Sequence, residues 1–139
     1  MINELIEMGE ILVVALTLLG EAEGEPWAGK AMVAEVMVNR SHGRGMSLKN
    51  VCLEYRQFSC WNGEKNQQKL VNRTADGTLI NSQPWIDCLI LAKLICENNF
   101  KGTSPATHFY NPKLCHPRWA KDMEEIARVG NHIFLAEKK

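Results

Sequence analysis

Three carboxylates stand within five positions in the stretch Leu18-Leu19-Gly20-Glu21-Ala22-Glu23-Gly24-Glu25-Pro26-Trp27, where an apolar run meets glycine and proline. A carboxyl group there lies between a hydrophobic wall and the electron-rich end of a helix. Both surroundings favour the protonated form. A carboxylic acid that keeps its proton near neutral pH is a general acid. Glu21, in the final turn of the apolar helix, suits that role best. Periodicity alone leaves Glu23, Glu25 and a solvated helix-end reading of Glu21 open. Glu25, just before Pro26, is placed to pair with Arg40 across a helical hairpin.

The elements that must position these groups follow from the patterning. Residues 3 to 23 read as one helix with Asn3 as N-cap and Leu5, Ile6, Met8, Leu12, Val13, Leu16 and Leu19 as apolar positions. Its lack of polarity after Glu10 implies central burial. Gly24 and Pro26 interrupt it, and Pro26 opens a second helix to about Arg40, with Ala31, Ala34 and Val38 at helical spacing. Ser41 to Gly45 reads as a turn, and Ser47 caps a short helix through Cys52.

Tyr55, Phe58, Cys60 and Trp61 before Asn62-Gly63 suggest an extended arm or hairpin. Residues 64 to 82, polar and aperiodic, read as an exposed excursion over the groove. Ser82, Gln83 and Pro84 announce a helix to about Asn98 with a stripe of Trp85, Cys88, Leu89, Ala92, Ile95 and Cys96. Phe100 to Pro105 is a loop, 106–112 a short strand ending in a turn, and Pro117 to Ala120 a helical turn. Residues 127–135 form a terminal strand or hairpin around Gly130-Asn131.

Composition narrows the possibilities. A chain of 139 residues, 45% apolar and 23% charged, fits one globular domain over 1–139. Sixteen basic and sixteen acidic residues cancel, so no long-range field draws it to nucleic acid. The apolar run Ile11 to Leu19 is too short for the ~18 to 20 residues of a bilayer span, so no stable membrane insertion is expected. The segment before it carries Glu4, Glu7 and Glu10 and no basic residue, unlike a secretory signal. The expectation is therefore a protein made in the cytoplasm. Five cysteines without CxxC pairs read as reduced core thiols, with Cys52 and Cys60 the one pair placed to bridge. His108 and His132 lack metal-ligand spacing and read as hydrogen-bonded structural histidines, and no metal or organic cofactor is called for. Trp27, Trp85 and Trp119 read as packing residues.

The segment from Gly20 to Pro26, continued by Gly29-Lys30-Ala31-Met32-Val33-Ala34-Glu35-Val36-Met37-Val38-Asn39-Arg40, resembles the leading motif of SleB-type cell wall hydrolases. Val51-Cys52, Gln57-Phe58-Ser59-Cys60, Ala106 to Pro112, Trp119 and Gly130 to Phe134 follow in that family's order. The family includes spore cortex-lytic enzymes and bacteriophage lysins. The resemblance implies a mainly α-helical, lysozyme-like or lytic transglycosylase-like domain with a small β region and a substrate cleft. It makes Glu21 the general acid and then base acting on peptidoglycan glycan strands, with Glu25 and Arg40 in support. Gln57, Ser59, Tyr110 and Asn111 become candidate substrate-binding residues, Tyr110 within reach of Glu21 or the sugar. Tyr55 or Trp61 would offer a flat surface to a sugar ring.

Glycoside cleavage usually employs two carboxyl groups. Glu54, Glu64 and Asp76 lie in the right region, but none is singled out. A lone acid/base suits lytic transglycosylation, and hydrolysis by a muramidase with a second carboxylate is the alternative. A catalytically silent peptidoglycan-binding module is a reading of another class. The expected setting is a phage or prophage lysin that reaches the wall through a separate membrane-permeabilising protein.

Overall fold

The computed structural model describes all residues except 99, 101 and 103. Helix α2 (Glu10–Ala22) is its axis: Val13 through Leu19 are buried, and α3 (Trp27–Arg44), α4 (Leu48–Leu53) and α6 (Gln83–Cys96) pack around it. A helix apolar on every face has to be enclosed on every side. The one hydroxyl in the run, Thr17, donates to the Val13 carbonyl at 2.7 Å and accepts the Trp61 indole N–H at 2.9 Å. Both its polar functions are met inside the core.

The expected helix over 3 to 23 is two helices, because Met8 and Gly9 are extended and separate α1 (Asn3–Glu7) from α2. Ile2, not Asn3, occupies the N-cap of α1, and its N–H donates to Gln67 Oε1 at 3.0 Å. Helix α3 overruns its expected end by one turn. Gly45 closes it in the left-handed conformation (φ 61°), which costs glycine nothing, and His42 and Arg44 sit by the terminal carbonyls. Ser47 caps α4 through the Asn50 N–H, and Ser82 caps α6 through the Trp85 N–H.

Two regions differ from the sequence reading. The 55–63 segment is no hairpin; it consists of turns and a 3-10 turn over Ser59–Trp61. The supposed excursion begins with α5 (Glu64–Asn72), whose Leu70 and Val71 are buried and whose Gln67 side chain donates to the Trp61 carbonyl. Only two residues of α5, Leu70 and Val71, are apolar, so its buried side was masked by the polar majority. Of the expected loop from 100 to 105, residues 101 and 103 lie outside the described residues.

The β region is a three-stranded antiparallel sheet in the order β1 (His108–Tyr110), β3 (His132–Glu137), β2 (Met123–Val129). Strands β2 and β3 form the terminal hairpin, longer than 127–135 and with a register shift between Glu125 and Ala127. Central β3 is buried from His132 to Ala136, with Phe134 wholly enclosed. A second 3-10 turn covers Arg118–Asp122.

Helix α3 and Glu25, just before its N-cap Pro26, hold this sheet at both ends. The Asn39 amide donates to the carbonyls of Ser104 and Ala106 at 2.9 and 2.8 Å, and Arg40 Nε donates to the Thr107 carbonyl at 2.7 Å. At the other end, Glu25 Oε1 accepts the Asn131 N–H at 2.7 Å and Oε2 accepts its side-chain amide at 2.9 Å. Glu25 and Arg40 therefore do not pair with each other. Each instead grips backbone that a bare turn would leave unsatisfied. Gly130 (φ 57°) allows the close approach, since a Cβ there would lie 2.5 Å from Glu25 Oε1.

All five cysteines are free thiols, Cys52 and Cys60 included. Burial pushes Cys52 and Cys88 up to about 12, as inert core thiols require. Cys115 is exposed and is no core residue. Trp27 is likewise 44% exposed at the start of α3, and Trp85 only half-buried.

Candidate active site

A cleft of about 660 Å³ opens where the end of α2 faces the sheet. Gly20 and Glu21 meet Arg56, Gln57 and Ser59 from one side; His108 to Asn111, Trp119 and His132 meet them from the other. Glu21 is the one carboxylate among its described lining residues.

The position of Glu21 is built from three features of α2. Thr17 and Glu21 are four residues apart, hence on one face. Thr17 holds Trp61, while Glu21 Oε2 accepts the Cys60 N–H at 3.1 Å and the Ser59 hydroxyl at 3.3 Å. Gly20 makes room between them: a Cβ there would stand 2.5 Å from Cys60 Cβ, 2.9 Å from its Sγ and 3.0 Å from Leu70 Cδ2. The 3-10 turn therefore lies flat on α2 and carries the donors that orient the acid.

Burial dominates the electrostatics of Glu21 and raises its pKa; the Cys60 and Ser59 donors and the Arg40 charge pull the other way without cancelling it. The result is an acid above the ordinary carboxylate range, with Oε1 clear of both described donors. Burial, then the charge of Glu21, push the neighbouring Cys60 thiol well above its usual value. Glu21 thus has a neutral thiol beside it, not a competing anion.

The other two acids of the stretch have different surroundings. Glu23 forms a bidentate pair with Arg73 at 2.6 and 2.9 Å, and that bonding holds it below the usual range. Burial pushes Glu25 up, but the Asn131 donors, His132 and Lys30 outweigh it and leave its pKa lowered. The Lys30 ammonium also donates to the Glu25 carbonyl. Neither Glu23 nor Glu25 lines the cleft.

Arg40 is buried at 7% exposure, its guanidinium 5.1 Å from the Phe58 ring centre, and burial pulls its pKa down to about 10. It remains a cation at neutral pH. It makes none of the described ion pairs, contrary to its reading as an ion-pair anchor, and its Nη1 has no hydrogen-bond partner. Its charge still acts on Glu21.

Gln57, Ser59, Tyr110 and Asn111 all line the cleft. Gln57 Oε1 accepts from Arg44 at 3.3 Å, and Asn111 Oδ1 caps its own turn through the Lys113 N–H at 2.9 Å. No described hydrogen bond joins Tyr110 to Glu21. Trp61 is buried and bonded to Thr17, so it offers the cleft no platform, and Tyr55 lies outside the cleft. Glu54, Glu64 and Asp76 are outside it too; Glu54 pairs with Arg44 at 2.7 Å.

Sequence reasoning missed several lining residues, among them Trp119, His108 and His132. Trp119, read as packing, is 38% exposed, with its ring 4.9 Å from His108 and edge-on to Tyr110 at 6.0 Å. An aromatic so placed turns a flat face to the cleft, the feature sought at Trp61 or Tyr55. Its place in the motif order was the available signal. His108 bonds Thr107 Oγ1 through Nδ1 at 2.9 Å, whereas buried His132 Nδ1 is unpartnered, 3.7 Å from Glu25. Burial lowers the pKa of both histidines, and the Glu25 charge only partly offsets it for His132. Among the described residues, no group of three or more His, Cys, Asp or Glu is placed to hold a metal.

The profile of a cell wall hydrolase family matches residues 24–135, a span that begins just after Glu21. Spore cortex-lytic enzymes from Bacillus cereus and Bacillus subtilis are 26% and 28% identical over 127 residues, 90% of this chain. The chain spans only 43% and 37% of their lengths. The fold is similar to the catalytic domain of the germination-specific lytic transglycosylase SleB from Bacillus anthracis, with a TM-score of 0.61 and 25% identity, covering 91% of this chain and 93% of that one. The catalytic domain of the Bacillus cereus SleB protein gives a TM-score of 0.60 at 25% identity, with 91% and 88% coverage. The mainly helical architecture with a small sheet is thus that of the SleB catalytic domain.

Proposed function

The chain belongs to the cell wall hydrolase family, and from that membership we propose that it cleaves the glycan strand of peptidoglycan between N-acetylmuramic acid and N-acetylglucosamine, with Glu21 as acid and base. The carrying observation is Glu21 itself: a carboxyl group with a raised pKa, fixed through one oxygen, in a cleft with no second described carboxylate. The protonated Glu21 gives its proton to the glycosidic oxygen as the C1–O bond breaks. The resulting carboxylate takes the proton of the muramoyl 6-hydroxyl as that oxygen bonds to C1. The product carries a 1,6-anhydro ring, and Glu21 is protonated again. The Cys60 N–H, the Ser59 hydroxyl and the Arg40 charge stabilise the carboxylate between the two steps.

Hydrolysis would place water where the 6-hydroxyl attacks. The lone carboxylate favours the intramolecular route, because a retaining or inverting hydrolase ordinarily uses a second carboxyl group within about 10 Å. Gln57, Tyr110, Asn111 and Trp119 are assigned to sugar hydroxyls, amides and ring faces.

Purified peptidoglycan treated with wild type and with Glu21→Gln tests the proposal. Wild type is expected to release soluble muropeptides bearing anhydromuramic ends by mass spectrometry, and the variant to release almost none. Reducing ends would assign hydrolysis; equal release by both proteins would remove Glu21 from the mechanism. Binding without release by wild type would make the chain a silent module. For its setting we propose a phage or prophage lysin. Lysis that requires co-expression of a membrane-permeabilising protein would support that part, and lysis without one would oppose it. Among the described residues, no helix is long and apolar enough to cross a membrane.

A further inference from the structure

Beside the cleft lies a second groove of about 570 Å³, bordered by Glu54, Tyr55, Arg56, Asn62 and Glu64. Arg56 borders both spaces, so the two lie side by side at that residue. Its volume is in the range that holds a small ligand.

Two features at the junction have no role in packing. Tyr55 is 80% exposed, yet its ring is steadied by the Arg56 guanidinium 5.3 Å from the ring centre. Arg56 itself has φ 59°, in the left-handed region; among the described residues the other two non-glycine residues there are Asn81 and Asn98, which tolerate it. A strained residue kept beside a cleft points to use at that place. The rest of the lining is mixed, with Leu53 and Trp61 beside Asn62 and Gln67, and Glu54 is paired with Arg44. An exposed ring above a lining of both apolar and polar groups suits a sugar, which presents an apolar ring face together with hydroxyls.

We propose that this groove is an outlying sugar subsite, in which Tyr55 stacks on a residue of the same glycan strand whose cleaved linkage lies over Glu21. The proposal rests on reading the Glu21 cleft as the glycan site. It makes the enzyme favour long strands, since only a strand reaching past Arg56 contacts Tyr55.

Calorimetric binding in the Glu21→Gln background, where strands are not consumed, tests it with peptide-free long glycan strands and a tetrasaccharide. Adding Tyr55→Ala is expected to weaken long-strand binding about fivefold, the size of one aromatic contact, and to lower the long-to-short affinity ratio by the same factor. Arg56→Gly should weaken long strands as well while raising the melting temperature, because glycine relieves φ 59°. That pairing separates lost binding from lost fold. Equal weakening on both lengths, no weakening on either, or an effect confined to peptide-bearing strands would overturn the subsite. Cleavage by wild type is scored alongside: length-dependent binding through Tyr55 without cleavage would sink the catalytic reading and leave the groove standing, and cleavage without that dependence would do the reverse.

Discussion

Gly20→Ala places one methyl group where the acid and its supporting turn meet. The new Cβ would lie 2.5 Å from Cys60 Cβ, about 0.9 Å inside the 3.4 Å at which ordinary contact begins. Cys60 Cβ is rigid with its backbone, so the 3-10 turn has to lift as a unit. A lift of about 0.9 Å would stretch the 3.1 Å bond from the Cys60 N–H to Glu21 to about 4 Å, beyond hydrogen-bonding range. Overpacking costs about 1–3 kcal/mol, while alanine returns about 1 kcal/mol of helix propensity, leaving a net loss of about 0–2 kcal/mol. For a chain of this size that is a fall of roughly 0–8 °C in melting temperature. Activity should fall much further, about 100-fold, because misplacing a reacting group by about 1 Å has that effect. The pH profile should also shift upward, since Glu21 loses donors that lower its pKa. The assay is muropeptide release against pH beside thermal denaturation, with Gly24→Ala as control because its Cβ would meet nothing within 4 Å. Wild-type activity in Gly20→Ala would refute the idea that the turn orients the acid.

Glu21→Gln should lower activity by about 10²–10⁴-fold and raise the melting temperature at pH 7. The sign follows from a folded pKa above the unfolded value: the group's relative stabilisation is full below 4.5 and is lost as pH rises through its raised pKa, so scans at pH 4 and pH 7 should differ less in the variant. Glu25→Ala should cost about 2–3 kcal/mol at neutral pH by releasing Asn131, read by denaturant unfolding. Its lowered pKa means the stabilisation it provides is present above 4.5 and lost as pH falls through the folded value, so the difference between variant and wild type should shrink in acid. Trp61→Phe should cost about 1 kcal/mol through loss of the indole N–H bond to Thr17, whose hydroxyl keeps its bond to the Val13 carbonyl, measured in the same way. A maleimide should label Cys115 before the buried Cys52 and Cys88, by mass spectrometry, and should inhibit muropeptide release because Cys115 lines the cleft, whereas Cys115→Ser should protect.

The helices were legible where periodicity and caps agreed. Ser47, Ser82 with Pro84, and the apolar α2 run all mark elements the structure contains. The break at Met8-Gly9 was not legible, because the apolar pattern continues across it. Nor was α5, whose Gln67 is tied to the distant Ile2 and whose Leu70 lies beside Gly20 of α2. At the site, a helix-end acid was readable, but the choice of Glu21 over Glu23 and Glu25 needed the motif. The reason lies in distant partners: Arg73 takes Glu23, Asn131 takes Glu25, and the Cys60 turn takes Glu21. Trp119 and His132, whose Nδ1 has no hydrogen bond, were misread because a place in the cleft is a property of the packed sheet, not of local sequence.

Asn39 and Arg40 fasten one end of the sheet to α3, and Glu25 fastens the other. Counted along the helix, the two ties stand about 20 Å apart. A lobe hung from one tie can swing; a lobe held at both ends of a stiff rod resists rotation about either. The mouth of the cleft thus has a gauge fixed by the length of α3, as the span of a calliper is fixed once both jaws are locked. For a glycan strand in a stretched wall network, admission would then depend on how far the strand itself can slacken and bend, and tension in the wall would act as a brake on cutting.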